Sequence, residues 1–172
     1  MNLRYTLATP LQPPQILQIY RERLQPGREA AYSAIEEETA RLAAALGCPH
    51  PYLAAESLTG SKEVWWFNGY DSEAERQRVY AEYAKSTRLL EAIQQNSARK
   101  ASVTLEPIEV FATYRHDLTV GPPWILGHGR FLAITMTAGN RGVEGTVFEA
   151  ADGTRYVVTP TQTRDEADQR TR

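Results

Sequence analysis

Aromatic residues concentrated in one short stretch are the part of this sequence best suited to binding chemistry. Residues 63–70 read Glu-Val-Trp-Trp-Phe-Asn-Gly-Tyr, which is typical of a β-strand. Aromatic rings beside a half-buried amide suit a flat organic ligand, and the amide needs a hydrogen-bond partner. The residues predicted to line a ligand pocket are Tyr20, Trp66, Asn68 and Tyr83.

Strand alternation places Trp66 and Asn68 on one face of this strand, and Trp65 and Phe67 on the other. Which face points at the helices stays open. In one interpretation, Trp65 and Phe67 pack under the helices while Trp66 contacts a partner chain. In the other, the aromatic residues line a pocket between the sheet and the helices.

Metal and nucleophile chemistry have little support in the sequence. The three histidines, His50, His116 and His128, lie far apart, and none belongs to a cluster with ligand spacing. Cys48 follows a helix end and is interpreted as a small turn residue. The acidic run 36–38 is interpreted as a solvated helix face. We therefore predict no metal and no cofactor, and no catalytic residue can be assigned.

Composition narrows the class of protein. The chain has 172 residues, 42% of them hydrophobic and 23% charged, which fits a globular domain. The net charge is −2, so the chain lacks the overall positive charge that would indicate nucleic acid or an anionic membrane as a partner. No apolar run approaches the ~20 residues of a membrane span, and the proline-punctuated start does not resemble a signal peptide. A single cysteine cannot form a disulfide within the chain, so nothing indicates an oxidising compartment, and the expected location is the cytoplasm.

The periodicities predict the order β-α-β-β-α-β over residues 15–116. Residues 28–46 and 72–97 are the two predicted helices, and Ser72 with Glu75 has capping-box spacing. This order is the ferredoxin-like pattern, with two helices on one face of a four-stranded antiparallel sheet. Since the opposite face is also apolar, a second copy of the chain is expected to cover it.

The two ends lie outside that pattern. Residues 1–14 are predicted to form an extended arm, because proline fixes φ and removes backbone donors. Residues 117–172 are predicted to be a β-rich extension, with a strand over 129–138 and a hairpin turning at Asp152-Gly153. Thr163 and Glu166 repeat the capping-box spacing, which indicates a short helix.

The stretch 17–28, Leu-Gln-Ile-Tyr-Arg-Glu-Arg-Leu-Gln-Pro-Gly-Arg, resembles the opening of dimeric α+β-barrel proteins. The resemblance extends over residues 15–116 and includes the tryptophan-containing strand and the second helix. The chain is similar to the group that contains NIPSNAP-like proteins, antibiotic-biosynthesis monooxygenases and haem-degrading monooxygenases. The resemblance implies an α+β fold and a homodimer whose two sheets close into a barrel.

In the haem-degrading branch an asparagine, a tryptophan and a histidine act together. Trp66 or Trp65 would match the tryptophan, but the first strand lacks the asparagine and the second helix lacks the histidine. The resemblance therefore implies a fold more than a chemistry.

Three hypotheses follow. The first is a homodimeric module that binds a small hydrophobic or aromatic molecule, or another partner, without catalysis. The alternative is a cofactor-independent monooxygenase acting on an aromatic or polyketide-like substrate, which activates oxygen itself while the protein supplies shape and desolvation. In the third, the extension 117–172 serves higher assembly.

Overall fold

The computed structural model describes residues 12–48, 50–138 and 144–170. Residues 1–11 of the predicted arm therefore lie outside the described part of the chain. The elements in chain order are β1 (Ile16–Arg23), α1 (Glu29–Ala45), β2 (Leu53–Glu56), β3 (Glu63–Tyr70), α2 (Glu73–Ala84), α3 (Thr87–Lys100), β4 (Ile108–Tyr114), β5 (Phe131–Thr137), β6 (Thr146–Ala150), β7 (Arg155–Thr161) and α4 (Arg164–Arg170).

The prediction of one continuous helix over residues 72–97 is wrong, because the structure has two helices there, α2 and α3. Ser72 caps α2 by accepting a hydrogen bond from the Glu75 amide. Ser86 then leaves the helical region, with φ −108° and ψ 89°, and its side chain accepts from the Leu89 amide. A serine that caps a new helix competes with continuation of the old one, which explains the break.

The sheet is larger than the four strands predicted. Seven antiparallel strands lie in the order β2-β3-β1-β4-β6-β7-β5, so β5–β7 extend the sheet beyond β4. The sheet curls until its two edge strands, β2 and β5, line a common small cavity. The turn between β6 and β7 confirms the hairpin prediction, with Gly153 at φ +83°. The result is a nearly closed α+β barrel.

The face of the sheet turned away from the helices, here called the inner face, forms the main core. Ile19, Phe67 and Phe148 are fully buried there. Trp124, 1% exposed, enters from the segment between β4 and β5 and packs edge-on against Phe67 and Phe148. The chain's own C-terminal part thus covers the face for which a partner was expected. The homodimer was predicted because this apolar face would otherwise be exposed, and that reason does not hold in this chain. The homodimer itself stays a prediction.

The opposite side, here called the helix face, carries a smaller core. Tyr32 and Ile35 of α1 pack with Val64 of β3 and Val103, and Trp66 lies against this cluster. Trp66 therefore faces the helices and Trp65 the barrel interior. The interpretation that put Trp65 and Phe67 under the helices is wrong. Strand alternation places the two tryptophans on opposite faces of β3, but only the packing of α1 decides which of them faces the helices.

Candidate functional site

A buried cluster of charged and aromatic residues lies between the sheet and the helices. Glu22 of β1 is 2% exposed. Its carboxylate accepts hydrogen bonds from Tyr32 Oη at 2.5 Å and from Trp66 Nε1 at 2.9 Å. Lys100, at the end of α3, lies with Nζ 2.9 Å from Glu22 Oε1 and 2.9 Å from Glu36 Oε1. The Lys100 ammonium group thus forms ion pairs with two carboxylates.

The electrostatics of this cluster reflect burial and close charges. Burial alone would lower the pKa of Lys100, but Glu36 and Glu22 raise it above its ordinary value. Burial raises the pKa of Glu36, while Lys100 opposes that shift. Burial, followed by the charges of Glu36 and Glu22, also raises the pKa of Tyr32 far above its usual range. Lys100 stays charged and Tyr32 protonated at neutral pH.

The acidic run 36–38 is only partly the solvated face that was predicted. The side chain of Glu36 is 12% exposed, whereas that of Glu38 is 45% exposed and pairs with Arg99. The prediction is wrong for Glu36 because α1 packs beside α3, which brings Lys100 against it. Sequence spacing within α1 carries no information about that contact.

Three of the four predicted pocket residues belong to neighbouring positions on the helix face. Tyr20 of β1 is paired in register with Trp66 of β3, and Gln18 with Asn68. Within the described residues, no hydrogen bond joins the Tyr20 hydroxyl or the Asn68 amide to another group. Burial, followed by the charge of Glu22, raises the pKa of Tyr20. Tyr20 and Asn68 therefore present uncommitted polar groups beside the buried cluster.

Tyr83 lies in a different environment, on α2. Its hydroxyl is 3.0 Å from Cys48 Sγ, and burial with the Cys48 hydrogen bond raises its pKa. The Tyr52 ring lies beside the helix-face residues, 5.6 Å from the ring of Trp66. That the four predicted residues line one pocket stays a prediction.

The histidines do not come together. His50 hydrogen-bonds the Gly69 carbonyl at 2.8 Å and stacks on Tyr70, and burial lowers its pKa. His116 and His128 are exposed. Within residues 12–48, 50–138 and 144–170, no group of three His, Cys, Asp or Glu residues could hold a metal ion.

A cavity of about 350 Å³ opens at the end of the barrel opposite Trp124 and is here called the open-end cavity. Its walls come from β2 and the loop after it, from β5 and from α4. Arg21, Glu63 and Trp65, all on the inner face, contribute the polar groups of the sheet wall. The other polar lining residues are Glu56, Ser57, Thr59, Ser61 and Asp168. The volume is at the small end of the range of ligand pockets. The apolar wall residues are Leu58, Trp65, Phe131, Leu132, Ile134 and Met136.

A network of hydrogen bonds holds the polar part of the cavity in place. Glu63 accepts from Arg21 Nη2 at 2.9 Å, from Trp65 Nε1 at 3.0 Å and from Arg23 at 3.2 Å. Burial would raise the pKa of Glu63, but these hydrogen bonds, led by that of Arg21, outweigh it and lower the pKa. The Arg21 guanidinium also lies 4.3 Å from the Trp65 ring centroid. Glu63 is thus a fixed anion that positions Arg21.

The sequence contained partial signals for both sets of residues. Arg21 and Glu22 lie mid-strand, where charged side chains need buried partners if both faces are covered. That signal was missed because one face was expected to be open or to meet another chain. Lys100 carried no such signal, since it is 78 positions from Glu22 along the chain.

Comparisons with solved structures show the class of fold. A candidate monooxygenase from Fusobacterium nucleatum superposes with a TM-score of 0.56 at 9% identity, covering 94% of this chain and 81% of that one. A NIPSNAP domain protein from Burkholderia xenovorans gives 0.42 at 13% identity, covering 56% of this chain and 90% of that one. A candidate antibiotic-biosynthesis monooxygenase from Chloroflexus aurantiacus gives 0.34 at 19% identity, with coverages of 55% and 88%.

The Fusobacterium likeness covers the whole α+β barrel, including β5–β7, and confirms the predicted resemblance at the level of fold. At this identity it carries no activity over to the chain. No protein-family model and no curated protein matches the sequence. Among the described residues, no helix is long and apolar enough to cross a membrane. A cytoplasmic location stays a prediction.

Proposed function

We propose that this chain is a small-molecule-binding module and that its ligand occupies the open-end cavity. The observation that carries the proposal is the cavity itself, about 350 Å³ with mostly apolar walls and an arginine, Arg21, whose side chain is 15% exposed. Trp124 and Leu126, each 1% exposed, fill the inner face towards the other end of β3, where Leu126 lies beside Gly69. An interior open at one end and lined by apolar groups with a few fixed polar groups is typical of a binding site.

The test is a binding measurement that is specific to the cavity. Aliphatic alcohols, amides and carboxylates of six to ten carbons (roughly the size that a small pocket holds) would be titrated calorimetrically. The variant Leu132→Trp places a large ring in the cavity wall and is expected to abolish binding. The matched control is Leu105→Trp, because Leu105 is 47% exposed and does not line the cavity. Equal binding by both variants would refute the proposal.

A second candidate function is a cofactor-independent monooxygenase at the helix face. The observation that favours it is the adjacent placement of Tyr20, Trp66 and Asn68. The Tyr20 hydroxyl and the Asn68 amide have no hydrogen-bond partner among the described residues, and Lys100 Nζ lies 5.9 Å from the centroid of the Tyr20 ring. A substrate with an activated CH₂ between aromatic rings would react with O₂ to give a ketone and water. The substrate supplies all the electrons, so the residues need only bind it and exclude water.

Anthrone is a suitable probe for this second function, with oxygen uptake and ketone formation measured together. We expect Asn68→Ala to lower the rate at least about tenfold if Asn68 anchors the substrate. The control is Gln94→Ala, which also removes a side-chain amide, but from an exposed position of α3. Absence of turnover above the uncatalysed rate would leave binding without catalysis as the function.

We also retain the predicted homodimer as a proposal, although the chain's own C-terminal strands already cover the inner face. A dimer would have to use another surface, and the exposed apolar side chains of Phe111 and Tyr80, at 38% and 41%, offer one. Light scattering over a hundredfold concentration range tests it, since a constant monomer mass would exclude the dimer. The variant Phe111→Arg would lower a dimer mass if this surface is the interface.

A further inference from the structure

The open-end cavity contains a charged group with unusually few partners. Arg21 lies on the inner face of β1, and its side chain is 15% exposed. A guanidinium has five N–H donors and no acceptor. Nη2 donates to Glu63 at 2.9 Å, while Nη1 donates to the thioether sulfur of Met136 at 3.6 Å. Nε is buried and has no hydrogen-bond partner within the described residues.

A thioether is a weak acceptor for a charged donor. Buried charged groups in proteins are normally satisfied by oxygen acceptors, so a guanidinium paired with sulfur is unusual. Met136 is 49% exposed, and its flexible side chain can move away from Arg21 at low cost. The position now held by the sulfur can therefore accept an oxygen atom from a ligand.

Arg21 shares its carboxylate partner with a second arginine. Arg21 and Arg23 share the single carboxylate of Glu63, so this group carries one positive charge in total. Two other acids line the cavity. Glu56 is on the exposed edge strand, and Asp168 lies 3.7 Å from Arg164. A ligand anion is attracted by Arg21 and repelled by Glu56 and Asp168, so its carboxylate would bind at the Arg21 guanidinium.

We propose that the open-end cavity binds a small carboxylate with an apolar body. The carboxylate accepts hydrogen bonds from the Arg21 guanidinium in place of the Met136 sulfur. The apolar body packs against Phe131, Leu132 and Ile134 on β5. This proposal rests on the proposed function and specifies the chemical class of its ligand.

The first experiment compares two probes that differ only in the head group. Octanoate and octanamide have the same chain, but only octanoate carries the negative charge that matches Arg21. Calorimetric titration of the full chain is expected to give octanoate an affinity at least about tenfold higher, because a charge-assisted hydrogen bond is stronger than a neutral one. This comparison needs no variant and so does not depend on the folding of a mutant.

The second experiment uses two arginines that share one carboxylate. Arg21→Gln is expected to weaken octanoate binding at least about tenfold and to leave octanamide nearly unchanged. Arg23→Gln is the matched control, because Arg23 also pairs with Glu63 but is 51% exposed and does not line the cavity. It is expected to change the octanoate affinity by less than about threefold.

The outcomes separate this inference from the proposed function. Equal binding of octanoate and octanamide, both abolished by Leu132→Trp, would overturn the carboxylate class and keep the cavity as a binding site. An equal loss of octanoate binding in the Arg21 and Arg23 variants would also overturn the role of Arg21. No binding of any of the titrated alcohols, amides or carboxylates would overturn both proposals.

Discussion

Lys100 and Glu22 form an ion pair of 2.9 Å between the sheet and the helices, although each comes from a different end of the β-α-β-β-α-β unit. Their side chains are 15% and 2% exposed, so water contributes little to solvating them. Glu36 lies against the same ammonium group. The pair therefore connects β1, α1 and α3 through one cation.

Replacing that cation tests how much the cluster contributes to stability. Lys100→Met leaves two carboxylates buried without a counter-charge, and we expect a loss of about 3 kcal/mol in the free energy of unfolding. Urea denaturation measures it. Lys85→Met is the control, since Lys85 pairs with Glu82 on the surface, at 68% and 53% exposure, and should cost less than about 1 kcal/mol. Similar losses in both variants would contradict the assignment.

The same cluster predicts a dependence of stability on alkaline pH. The pKa of Lys100 is raised in the folded state above its value of 10.5 in the unfolded chain. Its contribution is therefore fully present below pH 10.5 and is lost as the pH rises through the folded pKa. The stability difference between the natural chain and Lys100→Met should narrow above that pH. Urea denaturation at a series of alkaline pH values measures it, and a difference that widens there would contradict the prediction.

Two phenylalanines test the claim that the chain closes its own barrel. Phe148 of β6 is fully buried against Trp124 and Tyr114, whereas Phe111 of β4 is 38% exposed. Phe148→Ala should cost about 3–5 kcal/mol, because it leaves a cavity in the main core. Phe111→Ala should cost under about 1.5 kcal/mol. If thermal and urea unfolding showed equal losses, β5–β7 would not form part of the core.

Close packing beside the small cavity between β2 and β5 can be tested at Gly129. Its φ is +92°, and an added Cβ would lie 2.6 Å from Cβ of Pro160. Gly60, at φ +71°, has nothing within 4 Å of an added Cβ. Both substitutions to Ala cost about 1 kcal/mol for the backbone conformation, but only Gly129→Ala adds a clash. The difference in melting temperature between the two variants isolates the clash, and no difference would show that the two positions are equally open.

Much of the local structure follows from short-range patterns. Alternation and turn residues predicted β1, β3 and the hairpin of β6 and β7, and all three are present. The capping-box spacing of Thr163 and Glu166 also predicted α4, whose first turn shows the reciprocal hydrogen bonds of 3.3 Å. Such features are decided by residues within a few positions of one another.

The candidate sites were predicted less well, for a physical reason. Tyr20 and Trp66 are paired in register on one face of the sheet, and Asn68 follows on the same face of β3. That these three residues and Tyr83 line one ligand pocket stays a prediction. Arg21, Glu63 and Trp65 were not assigned to a site, because the sequence left open which face of β3 points at the helices. The separate expectation that a second copy covers one face of the sheet lost its basis because β5–β7 join the same sheet at β4.

The amino-acid order by itself determined where the strands, turns and caps lie and which side chains share a face, since these depend on backbone geometry and near neighbours. Only the tertiary structure decided which face α1 covers, that the C-terminal strands close the barrel, and that Lys100 pairs with two distant carboxylates. These contacts join residues far apart in the chain. They are selected by burial of the whole apolar surface, which no local pattern encodes.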